Sequence, residues 1–457
     1  MTSATRIAPE PAAARRRARL FLAVGLSFGL AFVALTPPFA AADEATHFLR
    51  AYQLSEGHVL ATRRVGQLGG TMPGDVLRDV AGLDRVRSRT SFAALRPYWS
   101  KHRDGSRRFT DFRNTAIYPP AGYLPQTLAI AFGRLLGAST LVLLYLSRIA
   151  NLLTFLALAA VAGQRFPRVG WLPLAVALTP MAIFQAASAS SDAPTTGLCL
   201  LVIASALGRR SSGRRGTIEA VTLCALLGLA KPPYILVSLV YLIPQRDESR
   251  RDRTRFTGAV LVGFLVAGVW SLTSTHLYVP YRPLIDLSRD IRPSAQLHRI
   301  ITAPWSFVAA LARTTSGSLG KWLRQAVTPV GRAPAASMPV IAVLYSYALT
   351  TAAAVVPTDV HDDRTEPTYP ARVMAASVGA LTLLAIAVVV YSYADAVGAG
   401  RVEGIYGRYL LPVLPTLVLT LPRVRRRVPD LAFAGSAALA LTVGLIAVTH
   451  RSYGWPL

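Results

Sequence analysis

Cysteine and acidic residues are both scarce in this chain. Only two cysteines, Cys199 and Cys224, occur among 457 residues, and both lie inside apolar runs. Neither has the spacing of a metal site, so we expect two free thiols and no disulfide. Asp and Glu together number 23 against 49 Lys and Arg. No internal repeat is evident, so the sequence does not predict a repeat protein or a disulfide-stabilised one.

Charged residues are also few in total. Charged residues make up only 16% of the sequence, 52% of residues are hydrophobic, and the mean hydropathy is +0.40. This composition excludes an ordinary soluble enzyme and is typical of a polytopic membrane protein. A net charge of +26 would indicate nucleic-acid binding in a soluble protein. Here the arginines form short clusters between apolar runs, as the positive-inside rule describes, so we expect membrane lipids and no nucleic acid as partners.

The apolar runs predict an all-α fold, a polytopic bundle of about eleven membrane helices. We expect residues 1–18 to be a disordered cytoplasmic tail and residues 19–457 to be one integral-membrane domain. Two long outer loops, 37–120 and 280–335, interrupt the bundle, and the second has an amphipathic piece near residues 305–327. The predicted spans are 19–36, 141–163, 169–187, 193–208, a broken hairpin over 217–244, 256–279, 337–356, 373–393, 408–421 and 429–448.

The arginine clusters give this bundle an orientation. Arginines precede the first apolar run, which is long for a signal peptide, so we expect a multi-pass protein of the inner (plasma) membrane with a cytoplasmic N-terminus. Residues 121–137 suit either a span or a surface helix, and parity favours the surface. Lys231 and the prolines after it break the 217–244 run, which places Lys231 near the outer tip of a hairpin.

A dense group of ionisable residues follows the first span. Thr36–Gly57 reads TPPFAAADEATHFLRAYQLSEG, in which two prolines precede a helical pattern that Asp43 is suited to cap. At helical spacing, one face carries Asp43, His47 and Arg50, and a neighbouring face carries Phe48 and Tyr52. A purely structural explanation is that Asp43 is only a cap, Glu44 only a partner of the helix dipole, and the rest ordinary interfacial residues.

The predicted topology brings further unusual residues to the same outer side. Charged groups near membrane depth are costly and usually mark function. Each also has an ordinary explanation, since lysine and arginine snorkel to the interface and Asp192 is placed to cap the next helix. The residues concerned are Asp192, Lys231, Glu403, Arg408 and Tyr409.

Four separated motifs resemble one known family. The pattern PPFxxxDExxHFxRAYQLSEG resembles the signature of a bacterial membrane-protein family called domain of unknown function 2142, and residues 404–415, GIYGRYLLPVLP, resemble its Gly-Arg-Tyr-(Leu/Phe)-x-Pro motif. Residues 118–126, YPPAGYLPQ, are similar to its Tyr-Pro-Pro element. SASSD at 188–192 resembles the acidic outer loop of GT-C-type glycosyltransferases, the class in which this family is placed, whose members use sugars linked to polyprenyl phosphates.

The resemblance implies a GT-C-like bundle and a glycosyltransferase, a hexosyl- or pentosyltransferase of the cell envelope. It would move a sugar from a polyprenyl-phosphate donor to a glycan or lipid acceptor on the outer face, with inversion at the sugar carbon. A base must take the acceptor's proton, and cations must stabilise the departing phosphate. The implied roles are catalysis for Asp43 and Glu44, substrate binding for His47, Arg50, Tyr52, Lys231, Arg408 and Tyr409, and a divalent metal, Mg or Mn, at Asp192.

Two other functions fit the composition. A transporter or flippase of a lipid-linked glycan would keep its ionisable residues near the bilayer midplane, whereas here they gather at one outer edge apart from Arg148. A non-catalytic partner in envelope-polysaccharide assembly would tolerate replacement of Asp43 and Glu44. The fold alone does not choose among these functions.

Overall fold

The computed structural model is mostly helical. The described residues are 11–87, 91–100, 105–166, 169–209, 213–245, 248–280, 290–328, 345, 352, 355–356, 367–422, 424–426 and 429–453. Most of the span predicted at 337–356, and of the cytoplasmic loop predicted after it, lies outside these residues.

The helices and strands follow each other in this order. The α-helices are α1 (Pro11–Leu35), α2 (Glu44–Ser55), α3 (Gly74–Val86), α4 (Phe92–Leu95), α5 (Arg113–Ala116), α6 (Leu124–Leu135), α7 (Thr140–Arg165), α8 (Leu172–Ala177), α9 (Pro180–Ala186), α10 (Asp192–Leu207), α11 (Arg214–Gly228), α12 (Arg250–Thr275), α13 (Pro293–Thr302), α14 (Pro304–Val327), α15 (Tyr369–Tyr393), α16 (Leu414–Val418) and α17 (Asp430–Tyr453). The 3₁₀ helices are Arg96–Trp99, Ala121–Tyr123, Pro232–Leu242 and Gly407–Leu410. The strands are β1 (Thr62–Arg64), β2 (Gln67–Pro73), β3 (Arg107–Asp111), β4 (Val355–Val356) and β5 (Val424–Arg425).

Within the described residues, five helices are long and apolar enough to cross a membrane. Asp192–Leu207 and Pro232–Leu242 are shorter apolar helices. The prediction of an apolar helical membrane protein is therefore confirmed, but the count of about eleven spans is not. The five long helices are Ala12–Leu35, Thr140–Arg165, Arg250–Thr275, Tyr369–Tyr393 and Asp430–His450.

Prolines account for part of the difference from the predicted count. The span predicted at 169–187 is two short helices, α8 and α9, with Pro180 starting the second. The span predicted at 408–421 is a four-residue 3₁₀ helix followed by the five-residue α16. Proline lacks an amide donor and disfavours helical backbone before it, so apolar composition alone overstated helix length here. The predicted break at Lys231 is present between α11 and the 3₁₀ helix 232–242.

The first helix begins earlier than predicted and packs closely on α7. It starts at Pro11, so the prediction of disorder is wrong for residues 11–18, where alanine and arginine favour helix. A Cβ added at Gly25 would lie 2.7 Å from a methyl of Leu156, and one at Gly29 2.5 Å from a methyl of Leu152. This pair of small residues four apart is the arrangement by which membrane helices approach closely.

The first outer loop has a core of its own. Strands β1, β2 and β3 form an antiparallel sheet in that order, in which Gly69 of β2 pairs with Thr62 and with Asp111. Buried side chains of the loop, including Phe48, Leu68 and others on α3, form a second hydrophobic cluster together with side chains at the start of α7. No strand was predicted here because three short, mostly polar strands show little period-2 pattern.

Two helices outside the long spans match expectations. Helix α6 has twelve residues, a length of about 18 Å against a hydrocarbon core of about 30 Å, so it is too short to cross. It leaves Leu128, Phe132 and Leu135 exposed, and its position at the membrane surface stays a prediction. Helix α14, Pro304–Val327, coincides with the amphipathic piece predicted in the second outer loop.

Candidate functional site

Glu44 and Arg148 form a fully buried ion pair at the start of α2. Arg148 on α7 donates from Nε to Glu44 Oε1 at 2.8 Å and from Nη2 to Oε2 at 2.7 Å, and neither side chain is exposed. The same guanidinium donates to the carbonyls of Val33, Thr36 and Pro37. Arg148 therefore caps the end of α1 and fixes the chain that leads to α2.

Glu44 also reaches the loop that carries Asp192. The backbone N–H of Ala189 donates to Glu44 Oε1 at 3.1 Å. Asn151 donates to the carbonyl of Ser188 at 2.7 Å, and Gln126 donates to the carbonyl of Ser190 at 3.1 Å. Buried amides and one buried carboxylate thus hold the 188–192 loop against α2, which sets the position of Asp192.

Asp192, Lys231 and Arg408 come together from three distant parts of the chain. Lys231 Nζ donates to Asp192 Oδ1 at 2.6 Å, and Arg408 Nε lies 3.5 Å from Asp192 Oδ2. Burial by itself lowers the pKa of Lys231, but the Asp192 carboxylate outweighs it and the pKa lies well above the usual value for lysine. Both cations therefore remain charged at neutral pH.

Asp43 lies beside this group and is partly open to solvent. Arg408 Nη2 lies 3.5 Å from Asp43 Oδ2, and Asn114 donates to Asp43 Oδ1 at 3.4 Å. Asp43 occupies the N-cap position of α2 with φ of 59°, yet its side chain makes no capping hydrogen bond. The capping role predicted for it is thus wrong, and the left-handed backbone directs the carboxylate toward Arg408. Such backbone strain is often concentrated at functional sites.

His47 is a neutral histidine behind the charged group. Its Nδ1 lies 2.6 Å from the hydroxyl of Tyr123. Burial lowers the pKa of His47 to about 4, and burial also raises the pKa of Tyr123. Both groups are therefore neutral at neutral pH, and we assign the tyrosine hydroxyl as the donor to Nδ1, with the ring proton on Nε2.

Tyrosines form the walls around the two cations. Lys231 Nζ lies 5.1 Å from the ring centre of Tyr118 and 5.4 Å from that of Tyr409. The Arg408 guanidinium lies 4.8 Å from the ring of Tyr406 and 5.4 Å from that of Tyr409. We refer to Asp43, Asp192, Lys231, Arg408 and these tyrosines as the outer charged cluster.

Two of the predicted binding residues lie elsewhere. Arg50 is fully buried and donates to Gln53 and to the carbonyls of Val59 and Tyr118, so it braces the loop rather than facing the cluster. Tyr52 packs against Phe48, as its position on the aromatic face predicted, and Arg134 covers its ring at 5.0 Å. Among the described residues, Arg50 touches the outer charged cluster only at the backbone carbonyl of Tyr118, and Tyr52 does not contact it.

The described residues do not fit a metal site at Asp192. No group of three or more His, Cys, Asp and Glu side chains lies together in the described part of the chain. Asp192 instead accepts from Lys231 and Gln185 and faces Arg408, so its oxygens already meet two positive side chains. We therefore assign no step of the reaction to the Mg or Mn ion expected there.

Several site residues were not identified from the sequence. The sequence marks Arg148 only as an exception inside an apolar run and gives no separate signal for Asn114 or Tyr123. A buried arginine within an apolar span is itself a signal that a partner carboxylate exists, because an unpaired charge there is unfavourable. The partner, Glu44, lies over a hundred residues away in the chain, so spacing gave no indication of the pair.

Known proteins give one match. The family described as "Predicted membrane protein (DUF2142)" matches residues 26–417. No curated protein and no solved structure matches the chain. The match begins within α1 and covers α2, the outer charged cluster and the Gly-Arg-Tyr motif. The chain therefore belongs to the DUF2142 family of membrane proteins.

Proposed function

We propose that this protein is a membrane glycosyltransferase that moves a sugar from a polyprenyl-phosphate donor to a cell-envelope glycan or lipid acceptor. The observation that carries the proposal is a pair of cations with unused donors beside an accessible carboxylate. Within the described residues, the Lys231 ammonium carries three N–H donors and donates only to Asp192, and Arg408 lies 3.5 Å from the carboxylates of Asp43 and Asp192. An anionic ligand would supply the missing acceptors.

Asp43 is the better placed of the two predicted bases. Its side chain is 44% exposed, whereas that of Glu44 is 0% exposed and both of its oxygens accept from Arg148. A general base needs access to the acceptor hydroxyl. We therefore assign proton transfer to Asp43 and a positioning role to Glu44, in place of the shared catalytic role predicted for them.

Lys231 and Arg408 suit the phosphate of the donor. Arginine offers a planar fork of donors and lysine a compact charge, and both stabilise negative charge as it grows on a leaving oxygen. Asp192 holds the two side chains close together through its separate oxygens. Tyr409 lies against both cations and limits water around them. His47, neutral and carrying a proton on Nε2, would donate to a sugar or phosphate oxygen.

We assign the prenyl chain to lipid-facing apolar helices. On α12, Leu261, Leu265 and Leu272 are exposed along one side, about 140–180° around the helix from Trp270. Trp270 donates to the carbonyl of Ile117, next to Tyr118, so α12 presents its other side to the cluster.

The reaction is a single displacement. The acceptor hydroxyl oxygen attacks the anomeric carbon, its proton passes to Asp43, and the bond from that carbon to the phosphate oxygen breaks. The products are the glycosylated acceptor and free polyprenyl phosphate, whose charge Arg408 and Lys231 stabilise. This geometry predicts inversion at the anomeric carbon. We place the cluster at the outer face of the inner membrane, with a cytoplasmic N-terminus, from the arginine distribution.

The test is transfer from a panel of radiolabelled polyprenyl-phospho-sugars by the full chain in proteoliposomes, with envelope glycans and lipids as acceptors. We expect label to move from the donor to an acceptor with the inverted anomeric configuration by NMR. Movement of the intact donor across the bilayer without transfer would instead identify a transporter. Neither transfer nor movement, in a folded protein that still binds donor, would favour a non-catalytic assembly partner.

A further inference from the structure

Helix α14 of the second outer loop exposes an apolar stripe. At about 100° per residue, the side chains of Trp305, Val308, Leu319 and Leu323 lie within about 60° of one another around the helix axis. Trp305 is 80% exposed, and the two leucines are about half exposed. The stripe extends over about 27 Å of the helix, at 1.5 Å per residue. A row of this length is unfavourable in water, so it indicates apolar surroundings along this side of α14.

Cations lie along the same helix beside this stripe. Arg313 and Arg324 occupy one side of α14, about 120° around the axis from the stripe, and Lys321 is exposed next to them. Among the described residues, neither Lys321 nor Arg324 has an ion-pair partner. Residues 291–328 contain no Asp or Glu, so this part of the chain supplies no acid to balance them. The flank therefore suits an anionic surface.

The third side of α14 packs on the protein beside the outer charged cluster. Phe307 and Thr314 are buried on this side. Near the C-terminal end of the helix, the backbone N–H of Gly407 donates to Gln325 Oε1 at 3.0 Å, and Gly407 directly precedes Arg408. These contacts fix α14 next to the cluster and leave its apolar stripe and its cations facing away from the protein.

A position across the membrane does not suit this helix. Arg313 lies near the middle of α14, where a spanning helix would place its charge in hydrocarbon at high cost. Nor is α14 one of the five described helices that are long and apolar enough to cross. A helix that lies along the membrane surface meets both conditions, because the stripe enters the acyl region while the cations remain at the headgroups.

We propose that α14 lies in the surface of the bilayer and binds anionic phospholipids there. Trp305 and Leu319 enter the acyl region, and Lys321 and Arg324 contact the headgroup phosphates. A zwitterionic bilayer would cover the stripe equally well but would not balance the cations. A second copy docked on this face would bring like charges together, since residues 291–328 carry cations and no acid.

The test measures the lipid composition beside one residue of α14. The full chain carries Leu319→Cys labelled with bimane, which the buried native cysteines leave as the accessible thiol. It is placed in nanodiscs with equal amounts of phosphatidylglycerol and phosphatidylcholine, one of which has brominated acyl chains that quench the label on contact. Leu265→Cys on α12 is the control position, because it is an exposed leucine in a stretch, 257–275, without Lys or Arg.

We expect quenching at Leu319→Cys to give a binding constant for phosphatidylglycerol at least about fivefold that for phosphatidylcholine, the effect of one cation at an anionic surface. Both lipids should quench Leu265→Cys equally. Adding Lys321→Gln with Arg324→Gln should remove most of the preference at residue 319 while quenching persists. The exchange Lys321→Arg with Arg324→Lys should keep the preference, because it keeps both charges.

A second control removes two exposed arginines from the first outer loop, Arg85→Gln with Arg108→Gln, and should leave the preference unchanged. Equal quenching by the two lipids at residue 319 would overturn the proposal, whether or not the charge variants fold. So would quenching by neither lipid, which would place the stripe in water or under a protein partner. An unchanged preference after removal of Lys321 and Arg324 would also overturn it. Sugar transfer is not part of this readout, so failure here leaves the proposed function standing.

Discussion

Two neighbouring acids at the start of α2 have opposite environments. Glu44 is completely buried, and its carboxylate accepts two hydrogen bonds from Arg148 and one from a backbone amide. Asp43, the preceding residue, is partly exposed and meets Arg408 only at 3.5 Å. Glu44 belongs to a closed network in which both of its carboxylate oxygens accept hydrogen bonds. Asp43 belongs to the outer charged cluster, where N–H donors remain without acceptors.

The difference separates two uses of charge in a membrane protein. A buried pair with all its hydrogen bonds made fixes one arrangement of the chain and offers nothing to a ligand. A cluster with unused donors is less favourable by itself, and binding an anion relieves it. Position along the sequence does not distinguish these uses, since Asp43 and Glu44 are adjacent. The burial of each carboxylate and the residues that it contacts distinguish them.

The largest expected effect comes from breaking the closed network. Arg148→Met places an apolar side chain of similar length in α7 and leaves Glu44 buried without its cation. This change should lower the free energy of unfolding by about 3–5 kcal/mol. Thermal unfolding of the full chain in detergent measures it. The double variant Glu44→Gln with Arg148→Met removes both charges and should recover part of the loss. A single variant as stable as wild type would show that this pair does not anchor α2.

A second effect concerns the neutral histidine between the two regions. His47 has a folded pKa of about 4 against 6.5 for an ordinary histidine. Between these values the unfolded chain binds a proton that the folded chain does not, so stability present above pH 6.5 should be lost as the pH falls toward 4. The loss is about 3 kcal/mol over this window, at about 1.4 kcal/mol per pKa unit.

His47→Gln isolates this contribution from that of the carboxylates. Its unfolding free energy should fall less steeply between pH 6.5 and 4 than that of wild type. Chemical unfolding at four or five pH values gives both slopes. Parallel slopes would place the proton on the folded histidine and contradict the Tyr123-to-His47 hydrogen bond assigned above.

A smaller effect is expected from changing the shape of a cation in the cluster. Arg408→Lys keeps the charge but removes the planar fork, so sugar transfer should fall by about ten- to a hundredfold with little change in melting temperature. Arg401→Lys, an exposed arginine of the same loop, serves as the control. Transfer that falls equally in both variants would indicate a loop effect rather than phosphate recognition.

Local sequence patterns predicted the elements that local physics determines. The helix after Pro37 and Pro38, its aromatic face and the break at Lys231 all follow from residue preferences and spacing. Helix α14 followed from its amphipathic pattern. The breaks at 169–187 could have been read from Pro173 and Pro180, whose effect the apolar composition masked.

The sequence predicted several residues of the site but not which of them contact each other. Asp43, Lys231 and Arg408 were selected because charge at membrane depth is costly, and they do lie together. Two contacts join segments that lie far apart in the chain. They are the ion pair between Glu44 and Arg148 and the hydrogen bond from Arg50 to the carbonyl of Tyr118. Spacing along one helix cannot reveal such contacts.

The most direct test compares Asp43→Asn with Glu44→Gln, each assayed for sugar transfer and for melting temperature. Both changes keep the size of the side chain and remove its charge. We predict that Asp43→Asn lowers transfer by about a hundredfold or more at an unchanged melting temperature, because the base is lost. Glu44→Gln should lower the melting temperature, with transfer per folded molecule closer to wild type. A folded Glu44→Gln without transfer, beside an active Asp43→Asn, would contradict the division of roles between these two acids.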